Sequence, residues 1–75
     1  MSGKPSLKAE IYEAVLSDII QGIYKQNEII TEKQLIAKYG VSKSPIRDAL
    51  IELCKEGVLN SHPRYGYEVV RINEK

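Results

Sequence analysis

The sequence predicts a mainly α fold closed by a small β-hairpin, with three helices followed by two short strands. Three observations carry that expectation. Apolar residues recur at three-and-four spacing in three separate stretches, the mark of helices with one buried face. Gly22, Gly40 and Gly57 stand where those stretches would end. The last part of the chain instead reads as strand, turn and strand. At 75 residues the chain is one domain, and a domain this small buries only about 60% of the surface its unfolded chain exposes.

The first helix is expected from about Leu7 to Gln21, on the stripe Leu7, Ile11, Ala14, Val15, Ile19 and Ile23. Residues 1–6 before it are small, polar or proline and read as a loose tail. A polar, turn-prone Lys25-Gln26-Asn27-Glu28 leads to the short apolar pair Ile29-Ile30. Thr31 followed by Gln34 matches a capping box, and Leu35, Ile36 and Tyr39 make a short second helix that Gly40 stops. The linker Gly40-Val41 forces the third helix to turn sharply, with Val41 plugging the angle, which is helix-turn-helix geometry. Ser42 and Ser44 both qualify as its cap. Pro45 suits a first turn, where its missing N–H has no partner anyway, and it disfavours helical geometry at Ser44, which favours the later start; the sequence alone does not decide between the two. Ile46, Ala49, Leu50, Leu53 and Cys54 form the inner stripe, and Gly57 closes the helix. Val58-Leu59-Asn60, the turn His62 to Gly66, and Tyr67 to Val70 complete the hairpin. Three helices and a terminal hairpin make a winged helix-turn-helix.

The formal net charge is +1, from 11 basic and 10 acidic residues, so the total says little about partners. Its distribution says more. Lys33, Lys38, Lys43 and Arg47 lie in a stretch without Asp or Glu, while Glu10, Glu13 and Asp18 sit in the first helix. Such a stretch suits a phosphate-facing surface. A single cysteine, Cys54, allows no intramolecular disulfide and points to a reducing compartment; on the stripe it reads as core. The opening residues lack the apolar run of a signal peptide, and no segment reaches the roughly 20 apolar residues of a membrane span. The expectation is a soluble, cytoplasmic protein. His62 has no Cys or His cluster beside it, so neither a metal nor another cofactor is expected. No phosphate-cradling glycine loop and no nucleophile–base set can be assembled, so no enzyme is expected.

A helix that enters a major groove must turn polar side chains outward at its first turns. The third helix does this with Lys43, Ser44, Arg47, Asp48 and Ile51. Lys43 and Arg47 are four apart and share a face. Arg47 is the candidate for a base edge, since a guanidinium meets guanine O6 and N7 with two bonds whereas lysine makes a point contact. The competing assignment for Arg47 is a surface ion pair with Glu52 or another helix acid. Lys33 would approach the DNA backbone from the side. Arg64-Tyr65-Gly66 at the hairpin tip suits a neighbouring minor groove.

The run Val41-Ser42-Lys43-Ser44-Pro45-Ile46-Arg47-Asp48-Ala49-Leu50 resembles the V-S-R-T-P-V-R-E-A-L signature of GntR-family regulators. Ile19 to Ile23, Thr31 to Leu35, Leu53 to Leu59 and Arg64 to Val69 resemble other stretches of the family, so the likeness runs from about Ile11 to Val70. The resemblance implies a dimeric regulator on a palindromic operator of double-stranded DNA. It further implies contacts from Lys33, Lys43 and Arg47, the hydroxyls of Ser42 and Ser44, and the wing glycine Gly66. This sequence departs from the family where Lys33 and Lys43 replace frequent arginines, and where Gln26-Asn27 replaces a usual Pro-Gly. Asn27 tolerates left-handed geometry, so that turn is expected to survive. The resemblance divides the chain into a tail at 1–6, the DNA-binding domain at 7–72, and at 73–75 the start of a linker to a C-terminal effector domain. Such an isolated domain is expected to be monomeric or weakly dimeric, and its full-length parent a homodimer. The alternative is a winged-helix module that binds protein and not DNA, which acids on the outer face of the third helix would favour.

Overall fold

In a computed structural model, residues 6–70 are described. The expected tail up to residue 5, and residues 71–75 with the expected linker, lie outside them. Helix α1 (Leu7–Ile20) starts on Ser6, whose hydroxyl accepts the Ala9 N–H at 3.1 Å, so this residue of the expected tail caps the helix. The α1 face buries Ile11, Val15 and Ile19. Leu7 and Ile23, expected on that face, are exposed. Leu7 stands at the open end of the helix, and Ile23 follows the left-handed Gly22 (φ +86°), where helical periodicity no longer governs. Asn27 does adopt left-handed geometry, at φ +73°.

The chain then forms β1 (Ile29–Ile30), α2 (Glu32–Tyr39), α3 (Lys43–Lys55), β2 (Leu59–His62) and β3 (Gly66–Val69). The expected hairpin is present, but the pair Ile29-Ile30 adds a third strand to it. The sheet is antiparallel in the order β1-β3-β2, with Ile29 opposite Glu68 and Ile30 opposite Tyr67. On the other side of β3, Leu59 faces Val69 and His62 faces Gly66. Strand β2 begins one residue after the expected Val58 and runs on through His62, while Val70 falls beyond β3. Two bonds extend the β1 seam: Asn27 N–H donates to the Val69 carbonyl at 2.6 Å, and Val69 N–H to the Glu28 carbonyl at 2.9 Å.

The capping box of α2 is complete. Thr31 Oγ1 accepts the Gln34 N–H at 3.1 Å, and Gln34 Oε1 accepts the Thr31 N–H at 3.0 Å. Gly40 ends α2 with its N–H on the Ile36 carbonyl at 2.8 Å, and Val41 packs half-buried against the core. Helix α3 is capped by Ser42 rather than the favoured Ser44. Pro45 thereby takes the third helical position. Its missing N–H would have had no partner in that turn, and the carbonyl four residues back belongs to Val41, outside the helix. These two facts outweigh the restriction that Pro45 puts on Ser44. At the far end, Gly57 N–H bonds Cys54 and Val58 N–H bonds Leu53, both at 3.0 Å, a Schellman closure.

The core joins Ile11, Val15 and Ile19 of α1 to Ile46, Ala49, Leu50 and Leu53 of α3, with Ile30, Leu35, Leu59 and Val69 around them. Because α3 buries a full stripe on α1 and β2, its opposite face is fixed toward solvent. Cys54, expected in the core, is half-buried at its edge.

Gly66 is where the hairpin meets β1 and the Thr31 cap of α2. Its φ is +125°, and a Cβ there would stand 2.7 Å from the Ile30 carbonyl oxygen, with Ile29 and Thr31 side chains close behind. Gly66→Ala should therefore cost about 1–3 kcal/mol through backbone strain, and Leu50→Ala about 2–5 kcal/mol through a core cavity. Urea denaturation monitored by circular dichroism measures both. A Gly66→Ala chain as stable as the parent would mean that β3 does not press on β1 in solution.

Candidate nucleic-acid interface

The candidate face begins at the α3 N-terminus. Ser42, unlike Ser6 and Thr31, makes no side-chain cap bond, so its hydroxyl is not spent on the helix. Ser42, Lys43, Ser44 and Arg47 are exposed, and the first turn of α3 carries no acid. Helix N-termini of this kind attract phosphate through free N–H groups and the helix dipole. Lys33 stands exposed at the second position of α2. Among the described residues, Lys33, Lys43 and Arg64 have no carboxylate within 4.0 Å.

Arg47, Arg64, Tyr65 and Gly66 line one cleft of about 370 Å³ between α3 and the hairpin, together with Thr31, Glu32, Ser61, His62, Pro63 and Tyr67. Lys33, Ser42, Lys43 and Ser44 lie outside that cleft. The site thus has two parts, the helix N-terminus and the cleft beside the wing, and Arg47 belongs to both. At the tip, Tyr65 N–H closes the turn on the His62 carbonyl at 3.0 Å, and the Tyr65 side chain stands clear of the fold at 68% exposure. His62 Nε2 pairs with Glu68 Oε1 at 2.8 Å across the strands, which braces the hairpin behind its tip. Gly66 is held at the cleft wall by its contact with Ile30.

Lys38 belongs elsewhere. Its ammonium meets Asp18 Oδ2 at 2.8 Å and lies 5.4 Å and 5.5 Å from the ring centroids of Tyr24 and Tyr39. The Asp18 hydrogen bond, with help from the two tyrosines, holds the Lys38 ammonium well above its ordinary range. This cation fastens α2 to α1, so one of the four basic residues of the acid-free stretch is already paired within the fold.

Two residues of the cleft give no signal in the sequence. Arg47 Nε–H donates to Glu32 Oε2 at 3.3 Å, and the Tyr67 hydroxyl donates to the same oxygen at 3.2 Å. The ion pair weighed for Arg47 is therefore formed, but with Glu32 rather than Glu52. Glu32 sits one residue before the acid-free stretch begins, and Tyr67 lies on the returning strand of the hairpin. Only the β1–β3 pairing brings them together. No group of three His, Cys, Asp or Glu residues able to hold a metal ion occurs among the described residues. No helix among them is long and apolar enough to cross a membrane.

The family description "Bacterial regulatory proteins, gntR family" matches residues 7–69. The HTH-type transcriptional regulator YdhC of Bacillus subtilis is 36% identical over 66 residues, which cover 88% of this chain and 30% of that protein. The gluconate operon transcriptional repressor of Bacillus licheniformis is 39% identical over 57 residues, 76% of this chain and 23% of that protein. Among solved structures, the AraR DNA-binding domain in complex with operator ORE1 superposes with a TM-score of 0.85 at 30% identity, covering 93% of this chain and 89% of that one. The chain spans less than a third of the length of the curated relatives it matches.

The Tyr67 bond is open to titration. Burial first, and then the adjacent Glu32 carboxylate, push the Tyr67 phenol above the ordinary tyrosine value of 10.0. The neutral phenol is thus the form that favours folding, so its contribution is complete below pH 10 and is lost as pH rises through the folded value. NMR titration of the tyrosine rings should give Tyr67 a midpoint above 10 that falls, without reaching 10, in Glu32→Gln. An unmoved midpoint would mean that the bond is not made in solution.

Proposed function

The chain belongs to the gntR family of bacterial regulatory proteins, as a DNA-binding domain of the winged helix-turn-helix kind, and we propose that it reads an operator with α3 in the major groove and the hairpin as a wing at the minor groove. The observation that carries this reading is the α3 N-terminus, where exposed Ser42, Lys43, Ser44 and Arg47 face outward while the opposite stripe is buried. Arg47 reads a base edge, most favourably guanine. Lys43 and Lys33 hold phosphates, with the Ser42 and Ser44 hydroxyls beside them. Arg64, Tyr65 and Gly66 meet the groove next to the one α3 occupies. The acid that pairs with Arg47 lies on α2, so the outer face of α3 keeps Asp48 as its acid near the N-terminus, which does not favour a module that binds protein in place of DNA.

Several further features follow as parts of the same proposal. The family resemblance supports residues 7–72 as the reading head of a longer chain whose C-terminal domain senses a small molecule, and the greater length of the relatives supports the longer chain. Such a regulator acts in the cytoplasm as a homodimer on a palindromic operator, while the domain alone is monomeric or weakly dimeric. Pairing two half-sites multiplies affinity through effective concentration, so the domain alone binds weakly. YdhC and the gluconate operon repressor are regulators of transcription by name, which supports a role without catalysis.

Amide NMR of the chain, titrated with a duplex of about two helical turns, tests the assignment. Shifts should concentrate on Lys33, Ser42, Lys43, Ser44, Arg47 and Arg64 to Gly66, and should weaken as salt rises. Lys43→Ala should flatten the salt dependence by about one unit of log–log slope, whereas Arg47→Ala should cost about 1–3 kcal/mol and relax preference at one base position. Unshifted amides in a folded domain would remove α3 as a DNA reader. Equal loss on every duplex would make Arg47 a phosphate contact.

A further inference from the structure

We propose that Glu32 is a positioning residue for Arg47: held by the Tyr67 hydroxyl, its carboxylate takes the guanidinium at Nε and leaves the two terminal amino groups aimed outward for a base edge. The inference rests on the reading above and assigns the sharpness of that reading to a pair outside α3.

A carboxylate on a surface meant for phosphates repels DNA, so Glu32 weakens binding unless it does something there. Its surroundings say what that is. The Glu32 side chain is only 20% exposed, whereas Arg47 is 55% exposed. The acid is thus the fixed partner and the guanidinium the presented one. Three elements fix the acid. The complete Thr31–Gln34 capping box holds the first turn of α2, where Glu32 is the first helical residue. The dipole at that helix start favours a carboxylate. Tyr67, carried on β3, donates to Oε2, the same oxygen that Arg47 uses. Arginine offers five N–H donors in a rigid fork. The bond to Glu32 takes the one on Nε, and Arg47 lines an open cleft. The four N–H donors on the two coplanar terminal nitrogens suffice for a bidentate contact to guanine O6 and N7. Part of the rotamer freedom that a long side chain loses on binding is then already lost in the free protein.

A pool of double-stranded DNA with a randomised centre, selected at low salt with the 75-residue chain, provides the test. The parent should enrich a motif, and Arg47→Ala should flatten one position of it. Glu32→Ala should flatten that same position, on the order of tenfold, while affinity for an unselected duplex holds or rises because an acid has left the face. Glu32→Gln keeps an oxygen acceptor and should fall between, and Tyr67→Phe should act in the same direction more weakly. Adding Glu32→Ala to Arg47→Ala should change that position no further. Circular dichroism of each variant separates loss of fold from loss of reading, and Glu32→Gln serves if Glu32→Ala does not fold. Full preference at the Arg47 position in folded Glu32→Ala and Glu32→Gln overturns the proposal, as does equal flattening at every position. If the parent enriches no motif, or Arg47→Ala leaves every position intact, the reading of α3 fails and the role of Glu32 falls with it.

Discussion

The seam between β1 and β3 is the constraint on which the interface depends. It is only two residues long, yet it fixes Ile30 opposite Tyr67 and brings Gly66 against the Ile30 carbonyl. Ile30 is fully buried, so the seam cannot slide without exposing it, since a shift of one residue turns every side chain to the other face. The residue after Ile30 is the cap of α2, and the one after that is Glu32. A single stretch of backbone therefore ties the hairpin to the start of α2, and through Glu32 to Arg47 on α3. Without the seam the wing would be an isolated two-stranded ribbon, which is marginal in water.

The three helices were legible because each carries its own signal within a few residues. Periodicity located the buried stripes, the Thr31–Gln34 spacing located the α2 start, and glycines marked all three ends. The hairpin was legible in outline for the same reason. Strand β1 was not, because two apolar residues have no period and are defined as a strand only by a partner almost forty residues away. The start of α3 stays open between Ser42 and Ser44 in the sequence, because a proline in the first turn loses no bond at either start and only its restriction on Ser44 separates them. Of the candidate site, the outward residues of α3 could be named from the stripe they oppose. Glu32 and Tyr67 could not, since their meeting is a product of strand pairing and leaves no spacing in the sequence.

Lys38 and Arg47 illustrate why a count of basic residues is a poor guide to a binding face. Both lie in the same acid-free stretch, nine positions apart. Lys38 reaches Asp18 of α1, and its ammonium lies beside the rings of Tyr24 and Tyr39. Arg47 is also paired, but through one of its five donors, and it stays more than half exposed. A compact ammonium is consumed by a short ion pair, whereas a planar guanidinium can be anchored at one edge and presented at another. The same formal charge therefore builds the scaffold in one case and remains available in the other.

The three-residue turn Pro63-Arg64-Tyr65 sits beyond everything that holds the wing. The His62–Glu68 pair, the Gly66 contact and the β1 seam all lie on the strand side of it, and its most prominent side chain, Tyr65, packs into no core. The tip is therefore an interchangeable part. Its residues can drift or lengthen between relatives at little cost to folding, since loop closure grows only slowly with length. A lineage that kept its recognition helix could in this way acquire a new flanking preference by changing three residues, and the rest of the domain would not register the exchange.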